Sequence, residues 1–402
     1  MNAARAFPPT RAAALARIAA LSPDDYARSR NALEGAVTRL SPYITHGIVG
    51  LPEVLAGVAM RHALDPRHRF VFELGWRAYF RHVWQRRGDA ILSSLHAGPL
   101  PDSAYAPELP ADIRTARSGV PVIDQAVRTL YAEGYLHNHA RLWLASYVVH
   151  LRKVHWRVGA DWMLGHLLDG DLASNHLSWQ WVAGTASQRP YLFNADNVAR
   201  YAPTAWHSAS GPLDRSYAAL EALARGPHAL PAEPQGEGIE EPPCSARPPT
   251  ARVPGPADAA AVTGRDVWLI HPWALGEPPA DLPAGCLRLG WWPAEHHAAW
   301  PWSAARWAFV GARMAALAGR QWRGSRAHLA EALAGARSVQ TWADGHVGAL
   351  LPSGVLQRQP AQLFAEPAQA CHSFSSWWHR SLRGVRTLAD LPGLSDLCGA
   401  AG

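Results

Sequence analysis

Five stretches in the first half of the chain repeat apolar residues at three- and four-residue spacing, the pattern of a helix with one buried face. They are GIVGLPEVLAGVAMRHAL (47–64), RHRFVFELGWRAYFRHVWQRR (67–87), PVIDQAVRTLYAEGYL (121–136), NHARLWLASYVVHLRKV (138–154) and ADWMLGHLLDGDLASNHLSWQWVAG (160–184). Gly, Pro or Asp separates them. The pattern predicts a mainly helical unit over residues 1–225. The pattern changes near residue 263. DVWLIHPWAL, CLRLGWW and SVQTW (338–342) read as short buried strands. PWSAARWAFVGARMAALAGRQW (301–322) and RAHLAEALAGA (326–336) read as helices. Alternation of the two predicts a smaller α/β unit over residues 263–402. Between the units, residues 226–262 are rich in Pro, Gly and Ala and predict an extended, poorly packed linker. The expected fold class is therefore mainly α, with a C-terminal α/β domain.

Composition narrows the picture. A chain of 402 residues has room for two domains and a large core. No run of 18 apolar residues occurs, so no membrane span is expected. RAAALARIAALSPDDYARSR reads as a first helix rather than a signal peptide, which points to the cytoplasm. Cys244, Cys286, Cys371 and Cys398 are scattered without a CxxC pair. That spacing argues against a disulfide framework, a zinc ribbon or an iron–sulfur cluster, and no metal site is expected. Formal charge is +6, which favours an anionic partner such as nucleic acid. Lys153 is the sole lysine, however, and an Arg-, Ala-, Gly- and Pro-rich chain also fits a genome of biased base composition. Nineteen tryptophans are unusual. Most belong to a core, but the excess raises stacking, flavins and electron transfer as candidate chemistry.

Three segments carry candidate chemistry. In DGDLASNHLSWQW (169–181), Asp171, Asn175 and Trp179 fall four apart and share a face if the segment is helical. Upstream, Asn138 and Arg141 sit in a strongly apolar helix and need buried partners, which Asp169 and Asp171 can supply. An Arg–Asp pair of that kind is a structural latch. In FELGWRAYFRH (72–82), Glu73, Trp76, Arg77 and Phe80 share a face, which is either a surface ion pair or the lining of a cleft. In VTRLSPYITHG (37–47), Thr38, Arg39 and Ser41 precede a short helix; the turn suits phosphate and equally suits ordinary capping.

Taken in order, Tyr26 and RSRNALEGAVTRLSPYITHG, then FELGWRAYFRH, then GVPVIDQAVRTLYAEGYLHNHARLWLASY, then Trp156 and DGDLASNHLSWQW resemble the helical flavin-binding domain of DNA photolyases and cryptochromes, over roughly residues 20–203. The resemblance implies a U-shaped FAD inside a helical bundle. Tyr26, Thr38, Arg39, Leu40 and Ser41 would hold its diphosphate. Val37-Thr38 stands where the family's turn usually begins Thr-Ser. Arg77, Asp169 and Asp171 match flavin contacts, Asn138 lies near the adenine, and Arg141 pairs with Asp169. Asn175 matches the position facing flavin N5, where repair members typically carry Asn. Trp179 and Trp156 match the inner and middle members of a photoreduction chain. The outer tryptophan has no match, and Tyr105 lies close to its place. Glu73, Trp76, Asn138 and Trp181 match the pocket for a flipped pyrimidine dimer, with Glu73 steadying a base radical anion. His139 stands where those enzymes often carry arginine.

The resemblance implies an FAD-dependent, blue-light-driven carbon–carbon lyase that repairs cyclobutane pyrimidine dimers in DNA. Two alternatives stay open. One is a cryptochrome-like sensor that signals to a protein partner through the C-terminal domain. The other is a divergent FAD-binding protein without repair activity. Members normally place an α/β antenna domain ahead of the helical one, whereas the α/β-like unit here follows it. It is either a permuted antenna-like layer or an unrelated accessory domain. Oligomeric state is not legible.

Overall fold

The computed structural model describes residues 6–208, 211–249 and 251–399, and side chains through residue 395. Short turns and the four-residue helix Ala111–Arg114 aside, the described residues up to 225 form eleven helices: α1 (Arg11–Ala19), α2 (Pro23–Ser29), α3 (Ser41–Thr45), α4 (Leu51–Ala59), α5 (Arg69–Arg87), α6 (Pro121–Glu133), α7 (Asn138–Ser146), α8 (Trp156–His166), α9 (Leu172–Ala183), α10 (Ala195–Tyr201) and α11 (Tyr217–Arg225). Local chemistry sets their ends. Ser22, Asp171 and Asn194 cap α2, α9 and α10, each accepting an amide N–H from the first turn. α6 and α9 stop at Gly134 and Gly184, both left-handed.

Two expected helices differ in a way that matters. The segment 160–184 is not one helix but α8 and α9, separated by a turn at Leu167–Asp171. Asp171 leaves the helix to become the N-cap of α9, accepting from Ser174 N at 2.8 Å. The segment 138–154 leaves α7 through a single π-turn at Tyr147–Leu151.

The C-terminal region is an α/β layer. Helix α12 (Pro256–Val262) leads into β1 (Asp266–Ile270), β2 (Leu287–Pro293), α13 (Ala294–Ala299), α14 (Ala304–Leu317), β3 (Arg320–Gly324), α15 (Arg326–Leu333), β4 (Ser338–Trp342), β5 (Val355–Arg358) and α16 (Phe374–Ser381). The five strands are parallel, in the order β3-β2-β1-β4-β5. In this doubly wound order the direction of growth reverses between β1 and β4. β3 and β5 escape a sequence reading because they are sheet edges. Arg320–Gly324 and Val355–Arg358 carry Arg and Gln instead of an unbroken apolar run. Residues 320–322, expected to finish a helix, therefore open β3.

The linker is extended but not loose. Leu230 N donates to Leu151 O at 2.7 Å and Ile239 N to Thr115 O at 2.9 Å, which straps the segment onto the helical unit. Its last seven residues are α12, which packs on α15.

The apolar core does not divide where the composition does. One cluster joins Phe7, Tyr43, Val54 and Phe70 of the helical region to Trp268, Trp291, Trp302 and Phe309 of the α/β layer. A second cluster lies wholly within residues 109–213. Among the described residues no disulfide forms: Cys244, Cys286 and Cys371 are free, and the Cys398 side chain lies outside the described residues. Among those residues, too, no helix is long and apolar enough to cross a membrane, and no cluster of His, Cys, Asp or Glu is arranged for a metal.

Candidate functional site

A cavity of about 510 Å³ lies between α2, α5, α7 and α9. That size is within the roughly 300–1,000 Å³ of small-molecule sites. Of the sixteen residues expected to bind cofactor or substrate or to carry electrons, twelve line it: Tyr26, Thr38, Ser41, Glu73, Trp76, Arg77, Asn138, Arg141, Asp169, Asn175, Trp179 and Trp181. Four do not. Asp171, Arg39, Leu40 and Trp156 are absent from the wall.

The wall is held by a buried ion pair. Arg141 Nη2 donates to both carboxylate oxygens of Asp169, at 3.0 and 2.8 Å. Its Nε donates to Leu136 O at 2.7 Å. Burial pushes the Asp169 carboxyl up, but Arg141, with a hydrogen bond from Ser41, outweighs it and holds the group below its ordinary range. Arg77 donates to Thr45 Oγ1 at 2.8 Å, and that hydroxyl donates to Asp169 O at 3.2 Å.

Asn175 is buried and gives one amide hydrogen to Ala160 O at 2.8 Å. A carbonyl only accepts, so this contact fixes which end of the amide is nitrogen. The Trp179 ring packs on α8 at Gly159, where a Cβ would collide with its six-membered ring. At the other end of the wall, Glu73 accepts from Arg30 Nε at 3.2 Å and pairs with Arg69 at 2.8 Å. Trp76 stacks on Phe374 of α16, with centroids 4.0 Å apart and planes 8° apart. Trp181 is tilted against Tyr191 at 5.6 Å.

The four residues off the wall have other partners. Asp171 faces Arg81 at 2.8 Å and Arg77 at 3.8 Å, because capping α9 turns its carboxylate away from Asn175 and Trp179. The expected stripe of acid, amide and indole therefore keeps only its last two members. Arg39 adopts φ 48°, and its guanidinium lies 4.9 Å from the ring centres of both Phe7 and Tyr135, which touch each other, while pairing with Glu133 at 2.6 Å. Leu40 is in the core, and its N–H is already taken by Thr38 Oγ1 at 3.2 Å. The expected phosphate-binding turn thus offers Thr38 and Ser41 but not the side chains of Arg39 and Leu40. Trp156 lies behind the wall, bonded to Ser94 Oγ at 2.9 Å and edge-on to His176. Its ring is 5.6 Å from His155, which is 6.3 Å from Tyr105.

Sequence reasoning missed several wall residues, chiefly His137, Ser174 and Met163. His137 sits just before α7 as its N-cap, and its position ahead of Asn138 was the available signal. Burial, with His139 and Arg141 nearby, lowers its pKa to about 4. His139 lines the cavity as well, and its ring nitrogens are engaged by Asn31 O at 2.8 Å and the Tyr191 hydroxyl at 3.2 Å.

Residues 70–206 match the family model described as the FAD binding domain of DNA photolyase. Over these residues the helical unit is similar to a photolyase-type FAD-binding domain. The chain is 37% identical over 164 residues to a deoxyribodipyrimidine photo-lyase of Streptomyces griseus, covering 40% of this chain and 36% of that protein. It is 30% identical over 172 residues to a cryptochrome DASH of Gloeobacter violaceus, covering 40% and 34%. A solved cryptochrome of Synechocystis sp. PCC6803 aligns at a TM-score of 0.42 and 27% identity, covering 48% of this chain and 43% of that one. The chain thus spans little more than a third of the length of these two curated relatives.

The cavity wall fits an FAD. Ser174, a wall residue, has its Oγ buried without a protein partner. Buried polar atoms are nearly always satisfied, so the cavity calls for a polar ligand. A dinucleotide with hydroxyls, ring nitrogens and carbonyls meets that demand beside an apolar wall of Trp179 and Met163.

Proposed function

We propose that this chain is an FAD-dependent, blue-light-driven photolyase-like protein that splits cyclobutane pyrimidine dimers in DNA. One observation carries the reading. The cavity wall that holds Asn175, Arg141 and Asp169 also holds Glu73, Trp76, Asn138 and Trp181. A cofactor and the flipped-out dimer, two linked neighbouring pyrimidines of one strand, would therefore meet in one cavity.

FAD, when bound and reduced, supplies a light-excited electron donor. The protein does the rest by placement. Arg77, Arg141 and Asp169 hold the cofactor's polar edge, with Tyr26, Thr38 and Ser41 at its phosphates. Asn175 has spent one N–H on Ala160 O, so its carbonyl oxygen is free to accept a proton-bearing nitrogen. Trp181 offers an indole face for stacking and Asn138 an amide for base edges. Glu73 accepts from Arg30 Nε and pairs with Arg69. Those two arginines would place positive charge near a reduced base. The chain's net charge of +6 supports attraction to phosphate. The C-terminal layer, all parallel and doubly wound, is read as a permuted counterpart of the antenna layer.

A cryptochrome-like sensor is the second reading, and the Trp76–Phe374 stack favours it. One face of Trp76 is covered by the C-terminal helix α16 and is closed to a base. The same stack ties the cavity to the domain through which a sensor would signal. Irradiating the reduced, FAD-loaded protein with dimer-containing DNA separates the two. Recovery of intact thymines supports repair; no recovery with FAD bound supports sensing.

A further inference from the structure

In open doubly wound sheets, ligands bind outside the carboxyl ends of the strands, where the strand order reverses. Here that point lies between β1 and β4. The chain leaves β1 through His271, Pro272 and Trp273, and leaves β4 through Asp344 and His346. His271 bridges the two exits, with Nε2 2.9 Å from Trp342 O. The crevice is filled by the helical unit itself. His46 Nδ1 lies 2.6 Å from Pro272 O, and Leu172 N donates to His346 Nε2 at 3.2 Å.

The contacts continue to the cavity wall without a gap. His346 accepts at Nε2, so its proton is on Nδ1, which donates to Asp344 Oδ1 at 2.6 Å. Asp344 Oδ2 accepts from Arg81 Nη1 at 2.8 Å, and Arg81 Nη2 reaches Asp171 at 2.8 Å. Asp171 faces Arg77, a wall residue. Arg81 thus lies between one carboxylate from each domain. On the far side of the same turn, the fully buried Arg306 donates to Leu164 O at 3.2 Å and to Gly170 O at 2.5 Å.

We infer that the switch point of the C-terminal sheet has the cofactor-bearing turn as its occupant, and that Asp344 is a positioning residue for the FAD site, acting through Arg81 and Asp171 on Arg77. Asp344 and Arg306 hold the Asp169–Leu172 turn from opposite sides. The field and geometry at the flavin then depend on a residue of the other domain that does not line the cavity. This inference rests on the reading of the cavity as an FAD site.

The test uses the full-length chain, with FAD affinity from flavin fluorescence and the midpoint potential of bound FAD as readouts. Asp344→Asn leaves Arg81 with one carboxylate fewer. FAD should bind about 5- to 50-fold more weakly, and the midpoint potential should shift positive. Asp281→Asn, which breaks the exposed pair with Arg358 on the same sheet, should change neither. If Asp344→Asn does not fold, Asp344→Ser, which keeps Arg81 for Asp171 and a hydroxyl for His346, takes its place with the same expectations. Wild-type affinity and potential in the folded variant overturn the inference while leaving FAD binding intact. Weaker binding with an unmoved potential marks a merely structural role and also overturns it. Failure of the wild-type chain to bind FAD overturns the underlying reading instead.

Discussion

Asn175 donates to the carbonyl of Ala160 at 2.8 Å, and with the His176–Asp161 contact at 2.8 Å this bond ties α9 to α8 at the cavity wall. Its carbonyl oxygen is thereby presented as an acceptor. Asn175→Asp would set a carboxylate against the Ala160 carbonyl, two acceptors with no hydrogen between them. The cost is about 1–3 kcal/mol of stability. The variant should also change which redox state of bound FAD accumulates under blue light, read by absorption. Unchanged spectra would count against placing Asn175 beside the flavin ring.

Gly170 is required by what packs on it. A Cβ there would stand 2.4 Å from Arg306 Nη1 and 2.7 Å from the Leu164 carbonyl. Gly170→Ala should therefore lower stability by about 1–3 kcal/mol through overpacking. A urea midpoint equal to wild type would show that Arg306 does not grip this turn.

Much of this was legible in the sequence, and the misses have physical causes. The helices α5 and α6 and the strands β1, β2 and β4 carry clean apolar patterns. The Arg141–Asp169 pair follows from two charged residues in apolar surroundings that must find each other. Asp171 was misplaced because a four-residue spacing shows a shared face only if the helix continues through it. An Asp that caps a helix turns its carboxylate back onto the first turn. Arg39 was misplaced because nothing local shows that its guanidinium would find Phe7, Tyr135 and Glu133. The role of Asp344 could not be read from sequence at all, since its partner Arg81 is 263 residues away.

Acid should destabilise the fold in two stages. Burial lowers the pKa of His137 and His150 to about 4 each, and holds His296 and His297 well below the usual value. These groups stay neutral in the fold but protonate once unfolded. Stability is therefore fully present above about pH 6.5 and falls below it, by up to about 1.4 kcal/mol per pH unit for each histidine. In the second stage the carboxylates follow. Burial raises Asp169, Asp171 and Asp344, but Arg141 at Asp169, Arg81 with Arg77 at Asp171, and Arg81 with a hydrogen bond from His346 at Asp344 outweigh it and hold all three below the ordinary range. Their contribution is present above about pH 4 and is lost as pH falls further. Urea unfolding at stepped pH checks both. A flat profile between pH 7 and 5 would contradict the first stage.

Trp181 and Trp156 separate substrate from electron supply. Trp181→Ala should weaken binding of dimer-containing DNA by about 1–3 kcal/mol, the value of a stacked base. FAD photoreduction should be unaffected in that variant. Trp156→Phe should do the reverse, slowing photoreduction and sparing DNA affinity, because Trp156 lies behind the wall. Equal DNA affinity in Trp181→Ala would favour the sensor. An unchanged photoreduction rate in Trp156→Phe would mean that electrons enter by another route.

The most direct measurement is a titration of the purified, flavin-free chain with FAD, followed by absorption and fluorescence, alongside Arg141→Ala. Removing Arg141 leaves Asp169 buried without its partner, a loss of about 3–5 kcal/mol. The wild-type chain should bind one FAD, turn yellow with a band in the blue, and quench flavin fluorescence to saturation. The variant should bind far more weakly. A wild-type chain that stays colourless and leaves FAD fluorescence untouched would contradict the assignment of the cavity.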